Sequence, residues 1–301
     1  MNKWPSLKQL HYLVTLHETR HFSDAAEKCF VSQSTLSKGI QNLEALIGCP
    51  LYEKKGKKSP LVFTQAGELV VLQGRNLLAK GQDLVELGRA CQGGEMEGQL
   101  RVGCIPTIAP FLLCDLVQEV NHRFPSLNLL LREDTTTNLL AGLRHGELDV
   151  LILALPVDID GMASRIVGCD PFRMIMSSNH ADAIKVPIRY DDLPNESVFL
   201  LEREHCLTEH AVSACQLTDK EKINPFSATS LHTLVQMVAN GLGTTFIPQM
   251  AIDHGLIKNQ NLVVMDPPGQ QAHRHIGLVW RPSSSRVNTF NQLADVVSGL
   301  L

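Results

Sequence analysis

The segment from Gln99 to Leu155 alternates strand and helix patterns, and this alternation limits the possible folds more than any other feature of the chain. The strand-length apolar runs are "QLRVGCI", "LNLLLRE" and "LDVLILAL". Between them lie two helical patterns, "APFLLCDLVQEVNHRF" and "TNLLAGLRHGE". Strand–helix–strand units of this kind predict a parallel sheet with helices on its faces.

A second set of elements follows from about residue 169 and includes a helix in "TSLHTLVQMVANG" and a strand in "GTTFIP". The closing "HIGLVWR" and "RVNTFNQLADVVSGLL" are expected to return to the first set. We therefore predict an α/β fold with two lobes and a cleft between them, the architecture of a periplasmic-type binding protein. Hydroxyl side chains at strand ends or helix starts are candidates for this cleft, although helix capping explains them equally well: Thr107, Thr136, Thr229 and Ser230.

The N-terminal part differs from the rest in charge. Residues 1–58 carry a net charge of +4 and the remainder −8, which favours a polyanion as the partner of the N-terminal part alone. The pattern "VSQSTLSKGIQNLEALIG" predicts a helix capped by Ser32, with Leu36, Ile40, Leu43 and Ile47 on its buried side. The opposite side presents polar groups suited to DNA bases and phosphates: Gln33, Ser34, Thr35, Ser37, Lys38 and Gln41.

Together with an amphipathic helix in "LKQLHYLVTLHE", this pattern is typical of a helix-turn-helix head for the DNA major groove. A basic turn follows, and we expect it to be a wing that grips the DNA backbone with Lys54, Lys55, Lys57 and Lys58. An ordinary three-helix domain with a solvated lysine loop is the alternative. Residues 65–92 predict one long helix, most simply explained as a linker and dimer contact, and "GGEMEG" predicts a hinge at 93–98.

The chain of 301 residues shows neither a signal peptide nor a membrane span in its sequence, so we expect a cytoplasmic protein. In a reducing compartment its eight cysteines should be free thiols by default. Six of them mostly occupy apolar helix or strand patterns and are expected to be small core or surface residues: Cys29, Cys49, Cys91, Cys104, Cys114 and Cys169.

The other two cysteines, Cys206 and Cys215, are nine positions apart in "LEREHCLTEHAVSACQ". A helix capped by Thr208 would hold their Cα atoms about 13 Å apart, whereas a disulfide needs about 7 Å or less. Pairing would therefore require the helix to unwind. The helix N-terminus and His205 would lower the pKa of Cys206, and nearby carboxylates would raise it, so the net direction is open.

Three interpretations of these thiols remain open at this point. They are two unpaired cytosolic thiols, a redox pair, or a metal site formed by His205, Cys206, His210 and Cys215. Cys206 and His210 have the i, i+4 spacing of helical ligands, but Cys215 is misplaced for that set.

Residues 7–67, with "AAEKCFVSQSTLSKGIQNLEALIGCPLYEK" and "FTQAG", resemble the winged helix-turn-helix of LysR-type transcriptional regulators, and the match continues to the C-terminus. The resemblance implies a regulator and not an enzyme, without cofactor or metal, and with operator DNA and RNA polymerase as partners. It implies a homo-oligomer, expected to be a dimer of dimers. The implied domains are a DNA-binding head at 1–64, a linker helix at 65–92, a hinge at 93–98, lobe I at 99–168 and 275–301, and lobe II at 169–274.

Four further stretches resemble the hydrogen-peroxide sensors of the OxyR group within this family: "HCLTEHAVSAC", "IPTIAPFLL", "ATSLHTLVQMVANG" and "RHIGLVWRP". This resemblance implies that Cys206 reacts with peroxide to give a sulfenic acid and that Cys215 resolves it as a disulfide. It also implies a peroxide pocket made of Thr107, Thr136, Glu204, His205, Glu209 and Arg274. Glu204 stands where many relatives have glycine. A LysR-type regulator that responds to a small metabolite or a metal in the cleft is the alternative.

Overall fold

The computed structural model describes residues 4–53, 61–90, 96–159, 161–181, 189–202, 206–268 and 272–301. They form two compact units, of which the first holds the residues up to Ala90 and the second holds nearly all the residues from Met96 onward. Within these ranges no helix is both long and apolar enough to cross a membrane.

The first unit consists of helices around a small core, with a two-stranded antiparallel sheet at its side. Its elements are α1 (Leu7–Thr19), α2 (Phe22–Lys28), α3 (Gln33–Ile47), β1 (Tyr52–Glu53), β2 (Val62–Phe63) and α4 (Gln65–Ala90). Helix α4 corresponds to the predicted long helix, and the predicted winged helix-turn-helix head is present.

Helix α3 begins and packs as its sequence predicts, except at its last residue. The Ser32 hydroxyl accepts a hydrogen bond from the Thr35 backbone N–H at 3.2 Å, so the predicted cap is confirmed. Leu36, Ile40 and Leu43 are fully buried. The prediction for Ile47 was wrong, because this side chain is 41% exposed where the helix ends at Gly48.

The second unit is an α/β domain. Its elements are β3 (Gly98–Cys104), α5 (Ala109–Arg123), β4 (Leu127–Glu133), α6 (Thr136–Arg144), β5 (Val150–Leu155), β6 (Ala163–Ser177), α7 (Ser178–Ala181), β7 (Val198–Leu201), α8 (Cys206–Ala214), β8 (Ile223–Ala228), α9 (Leu231–Ala239), β9 (Thr244–Pro248), α10 (Gln249–Asp253), β10 (Leu262–Met265), β11 (His273–Trp280) and α11 (Val287–Ser298), with 3-10 turns at Tyr190–Asp192 and Lys220–Lys222.

The strands follow the order β4-β3-β5-β11-β6-β9-β7-β8, and β10 also pairs with β6. Strand β3 is parallel to β4 and β5, as the alternating pattern predicts, whereas β11 runs antiparallel to β5 and β6. The fifteen-residue β6 is shared: its first part pairs with β11 and its last part with β9 and β10. The predicted α/β class is confirmed, with a mixed rather than a purely parallel sheet.

The pairing of β6 with β11 positions most of the polar residues discussed below. In this register Arg274 lies opposite Asp170, His275 opposite Cys169, and His273 opposite Pro171. Because successive side chains of a strand point to opposite faces, Arg274 and Asp170 share one face of the pair and the two histidines share the other face with Cys169.

Candidate functional site

The thiol of Cys206 lies at the beginning of α8, because Cys206 is the first residue of that helix. The partial positive charge at a helix N-terminus stabilises a thiolate. The prediction that Thr208 caps this helix was wrong: Thr208 lies inside the helix, and its hydroxyl donates a hydrogen bond of 2.7 Å to the Leu201 carbonyl. A Thr208 cap would place the first helical residue at Glu209, so the helix starts three residues earlier than predicted, at Cys206.

A buried guanidinium provides the main positive charge near this thiol. Arg274 is 1% exposed, and its Nε donates to Asp170 Oδ2 at 3.0 Å. Its other nitrogens donate to the Thr107 hydroxyl at 2.8 Å and to the Thr107 carbonyl at 3.0 Å, and Nη2 lies 3.4 Å from Met250 Sδ. The ion pair with Asp170 fixes the guanidinium and offsets much of its charge.

The pKa of the Cys206 thiol is raised above its ordinary value, and burial is the main cause. The Thr136 hydroxyl and the charge of Arg274 act in the opposite direction, and Glu209 adds to the rise. The net pKa shift of Cys206, whose direction the sequence left open, is therefore upward. The Thr136 hydroxyl is buried beside the sulfur, and its hydrogen bond to Cys206 is the contact that lowers this pKa; among the described residues it has no partner of better geometry. A small polar ligand beside the sulfur could therefore share this hydroxyl.

Cys215 lies in a different environment at the other end of α8. Its side chain is 1% exposed, and burial alone raises its pKa to about 12. The Cys215 carbonyl accepts a hydrogen bond of 2.5 Å from the Tyr190 hydroxyl. This thiol is therefore protonated at neutral pH and shielded from solvent.

Helix α8 holds the two thiols apart and is itself fixed at several points. Leu207 and Ala211 are buried in the core, and His210 Nε2 lies 2.7 Å from the Pro156 carbonyl oxygen. Nine residues of α-helical rise separate the Cα atoms of Cys206 and Cys215 by roughly 13 Å. Both are free cysteines in this structure, and the helix must open before they can bond.

A polar surface surrounds the first turns of α3 in the N-terminal unit. The side chains of Ser32, Gln33, Ser34, Thr35, Lys38 and Gln41 are exposed, and Ser37 is half-buried. A shallow groove between α1 and α3 is lined by hydroxyl, amide and ammonium groups, among them Ser6, Gln9, Ser34, Lys38 and Asn42. These are donor and acceptor types that can bind base edges and phosphates.

Comparison with known proteins matches both units. The model of the "Bacterial regulatory helix-turn-helix protein, lysR family" matches residues 7–68, and that of the "LysR substrate binding domain" matches residues 93–300. The chain belongs to the LysR family of transcriptional regulators. It is therefore a DNA-binding regulator and not an enzyme, as the sequence predicts.

Individual LysR proteins are similar over the whole chain. The transcriptional regulator EstR of Acinetobacter baylyi is 39% identical over 97% of this chain and 96% of its own. The transcriptional dual regulator OxyR of Escherichia coli is 37% identical over 97% of this chain and 94% of its own. The reduced regulatory domain of OxyR2 from Vibrio vulnificus is 84% identical, with a TM-score of 0.67, and covers 68% of this chain and 97% of that domain.

Within this LysR regulator, the structure brings three of the predicted pocket residues together with the predicted reactive thiol of Cys206: Thr107, Thr136 and Arg274. Glu209 is exposed on α8 and acts on Cys206 only through its charge. Six other predicted site residues lie outside the described residues: Glu204, His205, Lys54, Lys55, Lys57 and Lys58. The alternative metal site of His205, Cys206, His210 and Cys215 includes His205, so it lies partly outside the described residues. Of the other three, His210 has its Nε2 against the Pro156 carbonyl oxygen.

Sequence reasoning missed Asp170 and Met250, which complete the setting of Arg274. Asp170 also accepts a hydrogen bond of 3.0 Å from the Met250 backbone N–H. The sequence around Asp170 shows a single acid in a strand-like run, and a buried acid needs a partner. Nothing in the neighbouring residues identifies Arg274 as that partner.

Proposed function

We propose that this LysR regulator senses hydrogen peroxide through Cys206 and Cys215. The observation that carries the proposal is the position of the Cys206 sulfur, at the N-terminus of α8 and close to both the Thr136 hydroxyl and the buried Arg274. These groups act against the rise in pKa that burial causes at this thiol, and so increase the small fraction of Cys206 that is ionised. The resemblance to the OxyR group points to the same chemistry.

In the first step the Cys206 thiolate attacks one oxygen of hydrogen peroxide. The S–O bond forms as the O–O bond breaks, and the departing hydroxide takes up a proton to become water. Cys206 is thereby oxidised by two electrons to a sulfenic acid and the peroxide is reduced. The Thr136 hydroxyl lies beside the Cys206 sulfur and can turn from it to donate to a peroxide oxygen.

In the second step the Cys215 thiolate attacks the sulfenic sulfur, and hydroxide leaves as the disulfide forms. The helical distance of roughly 13 Å prevents this until α8 unwinds. Unwinding costs the His210 and Thr208 hydrogen bonds and the burial of Leu207 and Cys215. The disulfide replaces these contacts with a covalent bond, which gives the regulatory domain two alternative arrangements.

The DNA-binding part of the proposal assigns α3 to the major groove. Its contacts come from the exposed residues of the first turns, with further contacts from the wing lysines. Helix α4 exposes large apolar side chains along its length, and we assign this side to contact with a second copy: Leu69, Leu72, Leu77, Leu84 and Val85. Two such dimers form the working tetramer, which binds operator DNA in the cytoplasm and contacts RNA polymerase.

The proposed domains divide these tasks. Residues 1–64 bind DNA, 65–92 form the linker helix, and 93–98 act as the hinge. Residues 99–168 and 275–301 form lobe I, and residues 169–274 form lobe II with both redox thiols.

Single-cysteine variants of the full-length protein test this proposal. Cys206→Ser and Cys215→Ser should both bind operator DNA in the reduced state, and footprinting before and after peroxide should show no change for either. Only Cys215→Ser should accumulate a sulfenic acid that reacts with a dimedone-type probe. A peroxide-dependent footprint in Cys206→Ser would refute the proposal.

The alternative is a LysR regulator that responds to a small metabolite or a metal ion. Isothermal titration of the reduced Cys206→Ser protein, with footprinting in parallel, distinguishes the two. A ligand that alters the footprint of this variant without peroxide would favour the alternative.

A further inference from the structure

Three metal-binding side chains come together on the β6–β11 pair, away from the thiols of α8. The ligand atoms of Cys169, His273 and His275 all lie within 4.8 Å of one another. Cys169 Sγ is 3.1 Å from His275 Nδ1, and the two imidazole rings meet edge to face with centroids 4.9 Å apart. In the part of the chain that the structure describes, this is the group whose side chains can hold a metal ion.

The backbone holds the three residues in place before any ion binds. Strand β11 lies between β5 and β6 and is paired on both sides, so its position in the sheet is fixed. His275 lies directly opposite Cys169, and His273 lies two residues further along the same face. Ligands fixed by sheet pairing lose little conformational entropy on binding, which favours affinity.

The side chains are also of the right chemical type. A thiolate and two imidazoles are ligands that Zn²⁺ prefers, and a tetrahedral zinc ion places such ligand atoms about 3.5 Å apart. The distance of 3.1 Å between Cys169 Sγ and His275 Nδ1 is close to this value, and no pair of the ligand atoms is more than 4.8 Å apart. Cys169 and His273 are exposed and His275 is half-buried, so an ion can enter from solvent.

We propose that Cys169, His273 and His275 form a binding site for one thiophilic divalent cation, Zn²⁺ in particular, with a fourth position open to water. Binding displaces the thiol proton of Cys169, so the ion is held by one thiolate and two neutral imidazoles. This gives Cys169 a specific role where the sequence suggested an ordinary core or surface residue. The inference does not depend on the peroxide proposal.

The three metal-binding residues and the pocket of Cys206 are connected through strand β11, which carries both histidines and Arg274. Arg274 lies between the two histidines in the sequence and points to the opposite face of the strand, where it binds Thr107 and Asp170. An ion that links β11 to β6 through His273, His275 and Cys169 therefore fixes the strand segment that positions Arg274.

A competition titration of the reduced full-length protein against a chromophoric zinc chelator tests the site. We expect one equivalent of Zn²⁺ to compete, and we expect Cys169→Ser and His275→Gln to weaken this binding at least about tenfold. Cys114→Ser is the matched control, because Cys114 is another exposed thiol, and it should bind as the unaltered protein does. Co²⁺ should give a thiolate charge-transfer band that Cys169→Ser abolishes and Cys206→Ser retains.

Three results would overturn the inference. One is a protein that does not compete with the chelator. Another is undiminished binding in Cys169→Ser. The third is loss of the cobalt–thiolate band in Cys206→Ser while Cys169→Ser keeps it, which would place the ion at the thiols of α8 instead. Cys169 is exposed, so its replacement should leave the fold intact, and a thermal melt of the variant verifies this.

Discussion

The two ends of α8 place chemically identical thiols in opposite environments. Cys206 is half-buried beside a hydroxyl and within the field of a guanidinium, whereas burial is the only cause of the raised pKa of Cys215. This difference assigns the order of events in the proposed mechanism: the first thiol meets the oxidant, and the second stays protonated until the helix opens. The sequence spacing alone could not assign that order.

The pH dependence of oxidation should separate the two thiols most strongly. In Cys215→Ser the rate of Cys206 oxidation should rise about tenfold per pH unit between about pH 6 and pH 8, because only the thiolate attacks and its pKa is raised. In Cys206→Ser, Cys215 should stay unreactive over this range, since its pKa is about 12. Stopped-flow trapping of the sulfenic acid measures both, and a plateau for Cys206 within this range would contradict the account.

Replacing either member of the buried Arg274–Asp170 ion pair should change the oxidation rate of Cys206, and the two replacements should change it in opposite directions. Arg274→Gln removes the cation that lowers the pKa of Cys206, so oxidation at pH 7 should slow about tenfold. Asp170→Asn leaves the guanidinium charge uncompensated, so the pKa should fall and oxidation should accelerate. Both variants lose stability because each leaves a buried charge without its partner.

The matched pair excludes a stability effect as the explanation. Oxidation rates and thermal melts are measured together for both variants. A loss of stability alone would change the two rates in the same direction, and that result would count against the assigned role of Arg274.

Weakening α8 should leave the rate of sulfenic acid formation at Cys206 unchanged and should accelerate disulfide closure by Cys215. Thr208→Val removes the hydrogen bond to Leu201, worth about 1 kcal/mol, so disulfide closure should become about fivefold faster at an unchanged rate of sulfenic acid formation. Ser213→Ala is the control, because Ser213 is exposed on the same helix. Rapid-quench thiol labelling resolves the two steps. An unchanged closure rate in Thr208→Val would mean that opening of α8 does not limit closure.

The smallest effect is expected from Glu209. Its carboxylate raises the pKa of Cys206 from an exposed position, so Glu209→Gln should accelerate oxidation by less than about twofold. The effect should weaken as salt concentration rises. A slower reaction in this variant would show that Glu209 acts in another way, for example by positioning the helix. Glu221→Gln, at an exposed site elsewhere in the domain, is the control.

What could be predicted from the sequence was local. Apolar spacing located most helices and strands, and Ser32 was identified as a cap because capping depends on residues three apart. Thr208 was misassigned as a cap because its hydroxyl donates to the Leu201 carbonyl of β7, a contact between two elements that the helical pattern does not show. Ile47 was misassigned because a helical pattern does not say which of its last residues the core covers.

The polar partnerships were missed for a different reason. Asp170 meets Arg274, and Cys169 meets His275, across more than a hundred residues of chain. Both contacts depend on β6 pairing with β11 in one register, and the local pattern of either strand does not identify its distant partner.

Disulfide mapping combined with hydrogen exchange tests the central claim most directly. The reduced full-length protein is titrated with hydrogen peroxide, and each sample is analysed by mass spectrometry after thiol blocking. The account predicts a peptide that links Cys206 to Cys215, together with faster exchange of the backbone amides of residues 207–214. A link between Cys206 and any other cysteine, or unchanged protection of α8 in the disulfide-bonded protein, would contradict it.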